Sequence, residues 1–180
     1  VSALTLSGSK VECFEQEGKD ISNVVVGKVV SMERHPDSDH MFITQVDVGE
    51  DEPVQIVTGA QNVHEGDFVP VAKHKSSVLH EGKQVKITKG KLRGVASNGM
   101  LCSAQELKLD LEKLPEEQKT GIFILPSDTP VGIPAKDVLG LNDVVLEFEL
   151  TANRADCFSV FGLVREIAAI TGNKPHFPEI

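Results

Sequence analysis

VVVGKVVSMERHPDSDHMFITQVDVG, residues 24–49, is the stretch whose reading decides the fold. Its opening, VVVGKVVSM, is short and rich in β-branched residues, which suit a pleated, half-buried strand. In FITQVDV, Phe42, Val46 and Val48 alternate with Gln45 and Asp47. That period of two is expected when one face packs inward and the other meets water. Between the two runs, HPDSDH carries Pro36 and two aspartates, residue types that build turns.

Working outward, PVQIVTG (53–59), FVPVAK (68–73) and KQVKIT (83–88) repeat the strand pattern, separated by GEDE, NVHEGD and HKSSVLHEG. Five such strands closing on themselves describe an OB-type barrel better than an open sheet with edges to protect. A sandwich also satisfies the pattern alone. After the barrel, LKLDLEKLPEEQKTG is charged and helix-prone, VVLEFEL is a strand, and FSVFGLVREIAAITG reads as a helix. In that helix Phe158, Phe161, Val164, Ile167, Ala168 and Ile170 recur at helical spacing. Asp156 or Ser159 is placed to cap its start and Gly172 to stop it. At the other end, LTLSG followed by KVECFE reads as a helix end, a glycine stop and a strand. The expected fold is mainly β with α+β flanks: a five-stranded OB-type barrel with a C-terminal extension (21–143), inserted into a small split α+β domain (1–20 and 144–180).

The chain has 180 residues, 40% of them apolar, enough for a real core. It lacks a run long and apolar enough for a membrane span and a basic-then-apolar leader, so we expect neither, and a cytoplasmic protein. The opening VSALTLSG, without an initiator methionine, suggests a piece of a longer protein. Cys13, Cys102 and Cys157 lie far apart with no CxxC pair, which fits neither a disulfide framework nor a zinc site.

Net charge is −9, at first sight against nucleic acid. The charge is uneven, however: Lys73, Lys75, Lys83, Lys86, Lys89, Lys91 and Arg93 face only Glu81 between residues 73 and 93, a balance of +6 that leaves −15 elsewhere. The run KGKLRGVASNGMLCS (89–103) is not a phosphate loop, because GxxxxGK[ST] is absent. It offers a basic strand end, then Ser97, Asn98 and Gly99, small groups that let a sugar-phosphate chain approach closely. The competing reading is a solvated hairpin with lysines for solubility. The candidate RNA-binding residues are Lys73, Lys75, Lys86, Lys89, Lys91, Arg93, Ser97 and Asn98. His35, Asp37, Asp39 and His40 could gather a divalent ion but are better read as a turn. His35 and His40 could also offer positive charge below neutral pH. Asn153, Arg154 and Asp156 in NRADC read as a helix cap at Asp156 with Arg154 at a surface, and Cys157 as a small core hydrophobe. No catalytic residue, metal site or cofactor is expected in this segment.

HPDSDHMFITQVDVG, QIVTGAQNV and KGKLRGVASNGMLCSAQEL resemble, in order and spacing, the EMAP-type tRNA-binding domain. That OB barrel occurs appended to methionyl-tRNA synthetases, in free-standing tRNA-binding proteins, and inside the bacterial phenylalanyl-tRNA synthetase beta subunit. VVLEFELTANRADCFSVFGLVREIAAITG and LTLSGSKVECFE resemble the segments flanking the barrel in the last of these. Ala152 and Ala155 stand where that pattern usually has prolines, Thr58 where cysteine is frequent, and His40-Met41 where Lys-Leu is common. The resemblance implies a non-catalytic tRNA-binding and scaffold portion of a phenylalanine-tRNA ligase beta subunit. It further implies an α2β2 parent with its active site in the alpha subunit, using ATP and Mg2+ to attach phenylalanine to tRNA. A protein–protein interaction or spacer module, or a free-standing tRNA-binding protein, is the alternative.

Overall fold

The structure is a computed structural model that describes residues 1–178. Its elements in chain order are α1 (Ser2–Leu6), β1 (Lys10–Gln16), β2 (Ser22–Arg34), β3 (Phe42–Asp47), β4 (Val54–Thr58), β5 (Phe68–His80), β6 (Lys83–Lys86), β7 (Gly90–Leu92), β8 (Val95–Ser97), β9 (Gly99–Leu101), α2 (Glu116–Lys119), α3 (Ala135–Leu139), β10 (Val144–Glu149) and α4 (Val160–Thr171). The chain divides into two compact units, Gly18–Asn142 and a second one that joins Val1–Glu17 to the segment from Asp143 onward.

The larger unit is a five-stranded antiparallel barrel of the OB type. Its hydrogen-bonded order runs β4-β3-β2-β5, with β9 on the free edge of β5. Closure comes where β8 and β9 meet β4: the Asn98 amide donates to the Gln55 carbonyl at 2.8 Å, and the Val57 amide donates to Ser97 Oγ at 3.1 Å. Inside sit Val25, Val29, Val46, Ile56, Val69, Val71 and Leu101, all buried. A second buried cluster, including Ile21, Val24, Ala72, Val78, Leu107 and Leu141, packs against the outside of β5. Two glycines make this geometry possible. A Cβ at Gly27 would lie 2.6 Å from Val71 Cγ2 and 2.7 Å from Val46 Cγ1, and one at Gly99 would lie 2.7 Å from the Ala72 carbonyl oxygen. Only bare backbone leaves room for Val46 and Val71 beside β2 and lets β9 seat against β5.

The fifth barrel strand is therefore Gly99–Leu101, and KQVKIT is not part of the closed ring. HKSSVLHEG, expected to be a loop, instead continues β5 to His80. The cause lies at Lys75, which adopts a left-handed φ of 67°, while Ser76 Oγ donates to the Lys73 carbonyl at 2.6 Å. The pairing of β5 with β2 shifts here, from Val24 opposite Ala72 to Ser22 opposite Ser77. Such a bulge bends and twists the strand. The far half of β5 then pairs with β6, whose four residues are all exposed, as an arm beyond the ring, seated on the second cluster through the buried Val78. LKLDLEKLPEEQKTG forms only a short 3-10 turn at Leu111–Lys113 and the one-turn α2. Pro115 interrupts any longer helix.

In the smaller unit β1 and β10 pair antiparallel, beside α1 and α4. Ser159, not Asp156, caps α4, its Oγ accepting from the Gly162 amide at 3.1 Å, and Gly172 ends the helix in the left-handed region at φ 71°. Phe14, Phe158, Val160 and Phe161 remain more than half exposed or half exposed on this unit.

Candidate nucleic-acid interface

The basic segment is held to the barrel by backbone bonds that the bulge makes available. Lys75 N–H donates to the Ile87 carbonyl at 2.8 Å, and Ile87 N–H donates to the Ser76 carbonyl at 2.9 Å. The Lys89 amide donates to His74 Nδ1 at 3.1 Å. Beyond it β7 and β8 form a hairpin whose two-residue turn, Arg93-Gly94, has positive φ at both positions (46° and 86°). That is the turn geometry matched to the natural twist of paired strands.

The hairpin is pinned at its tip by the HPDSDH turn. The buried His35 ring accepts the Asp37 amide at Nδ1 (3.0 Å), so Nε2 carries the proton and donates to the Leu92 carbonyl at 3.2 Å. Arg93 Nη1 donates to the Asp37 carbonyl at 3.1 Å. His35 is thus committed on both nitrogens and turned away from solvent, which removes it as a source of surface charge. The sequence pattern gave no sign of this, because the partner carbonyl lies far along the chain.

The candidate residues fall into distinct places. Lys73, Lys89 and Asn98 line one open cleft of about 440 Å³, together with Asn23, His74 and the acidic pair Glu50 and Glu52. Lys73 is not free there: its Nζ lies 3.0 Å from Glu50 Oε1. Lys86 and Lys91 line a second groove of about 260 Å³, whose walls also include Ile87, Leu92 and Met100. Lys75 stands at the bulge and Arg93 at the hairpin tip, exposed and outside both hollows. No carboxylate is ion-paired with Lys75, Lys86, Lys89, Lys91 or Arg93 among the described residues.

Ser97 is buried, at 6% exposure. Its hydroxyl accepts from the Val57 amide and donates to the Gly99 carbonyl at 3.0 Å, so it serves the barrel seam. Asn98, next in sequence, keeps its side chain in the cleft while its backbone joins the same seam. Sequence reasoning missed Asn23, His74, Leu92 and Met100. The acids of GEDE, a turn by their sequence pattern, supply the acidic part of the cleft lining.

The NRADC cluster is a clamp. Arg154 Nη2 donates to Glu166 Oε2 at 2.8 Å and to Asp156 Oδ2 at 3.1 Å, and Nη1 reaches the Ser7 carbonyl at 3.3 Å. These bonds tie the end of α1 to α4. Hydrogen bonding to Arg154 holds the Asp156 carboxyl down at about 2. The same guanidinium, with help from Ser7, lowers that of Glu166. Asp156, Cys157 and Glu166 are the one group of described residues whose spacing suits a metal ion, and the Arg154 cation already lies among them. Cys157 is buried as expected, yet its sulfur contacts Arg154 Nη2 at 3.0 Å and so does not sit in apolar surroundings. Burial pushes the Cys102 thiol up, leaving it protonated and unreactive.

No helix among the described residues is long and apolar enough to cross a membrane. Comparison with known proteins places the chain. A model of the family described as "Putative tRNA binding domain" matches residues 24–134. Phenylalanine–tRNA ligase beta subunits from Clostridium tetani and Clostridium acetobutylicum are 51% and 53% identical to the chain over 98% and 95% of its length. That from Moorella thermoacetica is 48% identical over 97%. The chain spans about a fifth of these relatives, 21% in each case. Both the barrel and the basic arm built onto it fall inside the matched span, and on that match the chain belongs to the tRNA-binding-domain family.

Proposed function

We propose that this chain is the tRNA-binding and scaffold portion of a phenylalanine–tRNA ligase beta subunit. The observation that carries the reading is the arm after the β5 bulge, where Lys86, Lys89 and Lys91 stand exposed and without an ion-pair partner among the described residues, in a chain of net charge −9. With Lys75 and Arg93 they make a cationic track for a sugar-phosphate backbone, displacing its counterions. Lys73 joins the track when Glu50 releases it. Asn98 adds a hydrogen-bonding side chain in the cleft, and Ser97 keeps that loop in place by closing the barrel beneath it. The identity to the beta subunits and the match to the family model support this reading.

The parent enzyme is then a cytoplasmic α2β2 ligase that attaches phenylalanine to tRNA with ATP and Mg2+, with the alpha subunit providing the active site. This segment contributes grip and scaffold and no catalytic step. Half-exposed Phe14 and Phe161 in the smaller unit favour an added role in docking to the remainder of the assembly.

Titration of labelled tRNA by fluorescence anisotropy tests the proposal. Each phosphate neutralised contributes about −0.7 to −0.9 to the slope of log K against log salt, so three lysines set a slope near −2 to −3. Between about 50 and 200 mM salt such a slope weakens binding roughly 20- to 60-fold. Reversing Lys86, Lys89 and Lys91 to glutamate should weaken binding strongly and flatten the slope by at least that amount. An absence of tRNA binding by the unaltered chain at low salt, or binding unchanged by the triple reversal, refutes the reading.

A further inference from the structure

We propose that the groove between the β6–β7 arm and the β8–β9 edge receives one unstacked nucleobase of an RNA strand, with neighbouring phosphates held on Lys86 and Lys91. This rests on the RNA-binding reading and adds to it a class of site: single-stranded or looped RNA, not duplex backbone alone.

Composition of the groove points first to its occupant. Its mostly apolar lining includes Ile87, Leu92 and Met100 and the glycines Gly90 and Gly99, together with the cations Lys86 and Lys91. An apolar slot with cations in its lining is complementary to a flat heteroaromatic ring flanked by phosphates. Leu92 is 42% exposed, between Lys91 and Arg93 in the run Lys89-Gly90-Lys91-Leu92-Arg93. A hairpin serving only solubility gains nothing from an open leucine among its cations.

Gly90 is the second, independent sign. Its φ is not in the left-handed region, and a Cβ built on it would meet nothing closer than the Thr88 carbonyl oxygen at 4.0 Å. Neither backbone conformation nor internal packing therefore requires glycine at this strand position, where glycine costs stability. The space above it is left for something that is not part of the chain. Gly99, on the opposite wall, is required by its closeness to Ala72, so the two glycines have different reasons.

The groove is also preformed. The Lys89 amide is bonded to His74, the Leu92 carbonyl to His35 and the Arg93 guanidinium to the Asp37 carbonyl. Little ordering is needed for binding. The Ser97 hydroxyl, on the groove's floor, is spent on Val57 and Gly99, so it is not available to read base edges. Recognition should be by shape and apolar contact, with weak preference among bases. Paired bases inside a duplex cannot enter.

Three RNAs with the same total number of phosphates test this with the full chain: a short unstructured strand, a blunt duplex of two strands half as long, and the unstructured strand carrying abasic sites. Base stacking on aromatic side chains is worth about 1–3 kcal/mol, and aliphatic walls should reach the low end. The intact strand should therefore bind about 5-fold tighter than the abasic one. Gly90→Leu should fill the groove and erase that difference, leaving duplex and abasic affinities unchanged and the melting temperature unaltered. Leu92→Phe should widen the difference by offering a ring to stack on. Equal binding of intact and abasic strands, a difference that survives Gly90→Leu, or occupancy of the groove by an apolar peptide in preference to RNA overturns the inference. If reversal of Lys86, Lys89 and Lys91 weakens all three RNAs while no base effect exists, the groove proposal falls and the RNA reading stands. If none of the three binds at low salt, both fall.

Discussion

Replacing Ser97 with alanine removes one oxygen atom and, with it, two bonds of the barrel seam. The Val57 amide, in a residue buried to 6% exposure, loses its acceptor at 3.1 Å, and the Gly99 carbonyl loses a donor at 3.0 Å. An unsatisfied buried amide costs about 1–3 kcal/mol. The Gly99 carbonyl is less affected, because a carbonyl tolerates partial satisfaction better than an amide. A loss near 2 kcal/mol is expected, which for a unit of this size lowers the melting temperature by about 6–10 °C.

Thermal unfolding followed by circular dichroism reads that shift, and tRNA anisotropy well below the transition reads function. The expected pair of results for Ser97→Ala is a lower melting temperature with affinity unchanged in the folded protein. Asn98→Ala should show the reverse, since its side chain faces the cleft and no hydrogen bond from it to other described residues is present. Its affinity should fall about 2- to 5-fold, the loss of a single net hydrogen bond, with little change in stability. A Ser97→Ala protein that melts normally but binds tRNA several-fold more weakly would refute the reasoning, placing the hydroxyl on the RNA and not in the seam.

Acid should loosen the smaller unit selectively. Asp156 and Glu166 are both depressed below their ordinary values, first by hydrogen bonds to Arg154. Carboxyls lowered in the folded state stabilise it above their unfolded values and lose that contribution as pH falls through the folded ones. Urea midpoints reporting on α4 should therefore drop between about pH 4 and pH 2, and Arg154→Met should flatten the drop. Glu50→Gln should free Lys73 from its partner at 3.0 Å and remove a negative charge from the cleft. An exposed pair is worth up to about 1 kcal/mol, so tRNA affinity should rise by up to about 5-fold at low salt. Unchanged or weaker binding by anisotropy would remove Lys73 from the interface.

Much of the barrel was legible because its signal is local. Val46 and Val48 alternate with polar neighbours, and the turns carry Pro36 and glycines at the expected spacing. Four of the five ring strands, β2, β3, β4 and the front of β5, lie where the sequence places them, and in β3 the inward Val46 is buried, with Val48 just beyond it. The ring's last member differs from the sequence expectation for a physical reason. KQVKIT has the β-branched look of a barrel strand, whereas Gly-Met-Leu is three residues with no such look. What places Gly99–Leu101 in the ring is the absence of a Cβ against Ala72, and that is a distance between residues remote in sequence. The left-handed φ at Lys75, which throws the arm outward, is equally invisible in a residue type that seldom adopts it.

The same limit governs the site. Clustering of cations in sequence is real, but not every candidate is available: Lys73 is paired with Glu50, and the hydroxyl of Ser97 belongs to the seam. What the fold adds is orientation. On a barrel strand, alternate side chains would point into the core and half the lysines would be lost to the surface. On β6 and β7, by contrast, every residue is exposed. The bulge at Lys75 thus converts a charged sequence into a charged surface, and it does so where the surrounding chain is acidic. With a Debye length of about 8 Å at physiological salt, the −15 spread over the rest of the chain cannot cancel the arm at contact range. It does oppose approach from farther away, so mutations in the arm should change how long tRNA stays bound more than how fast it arrives.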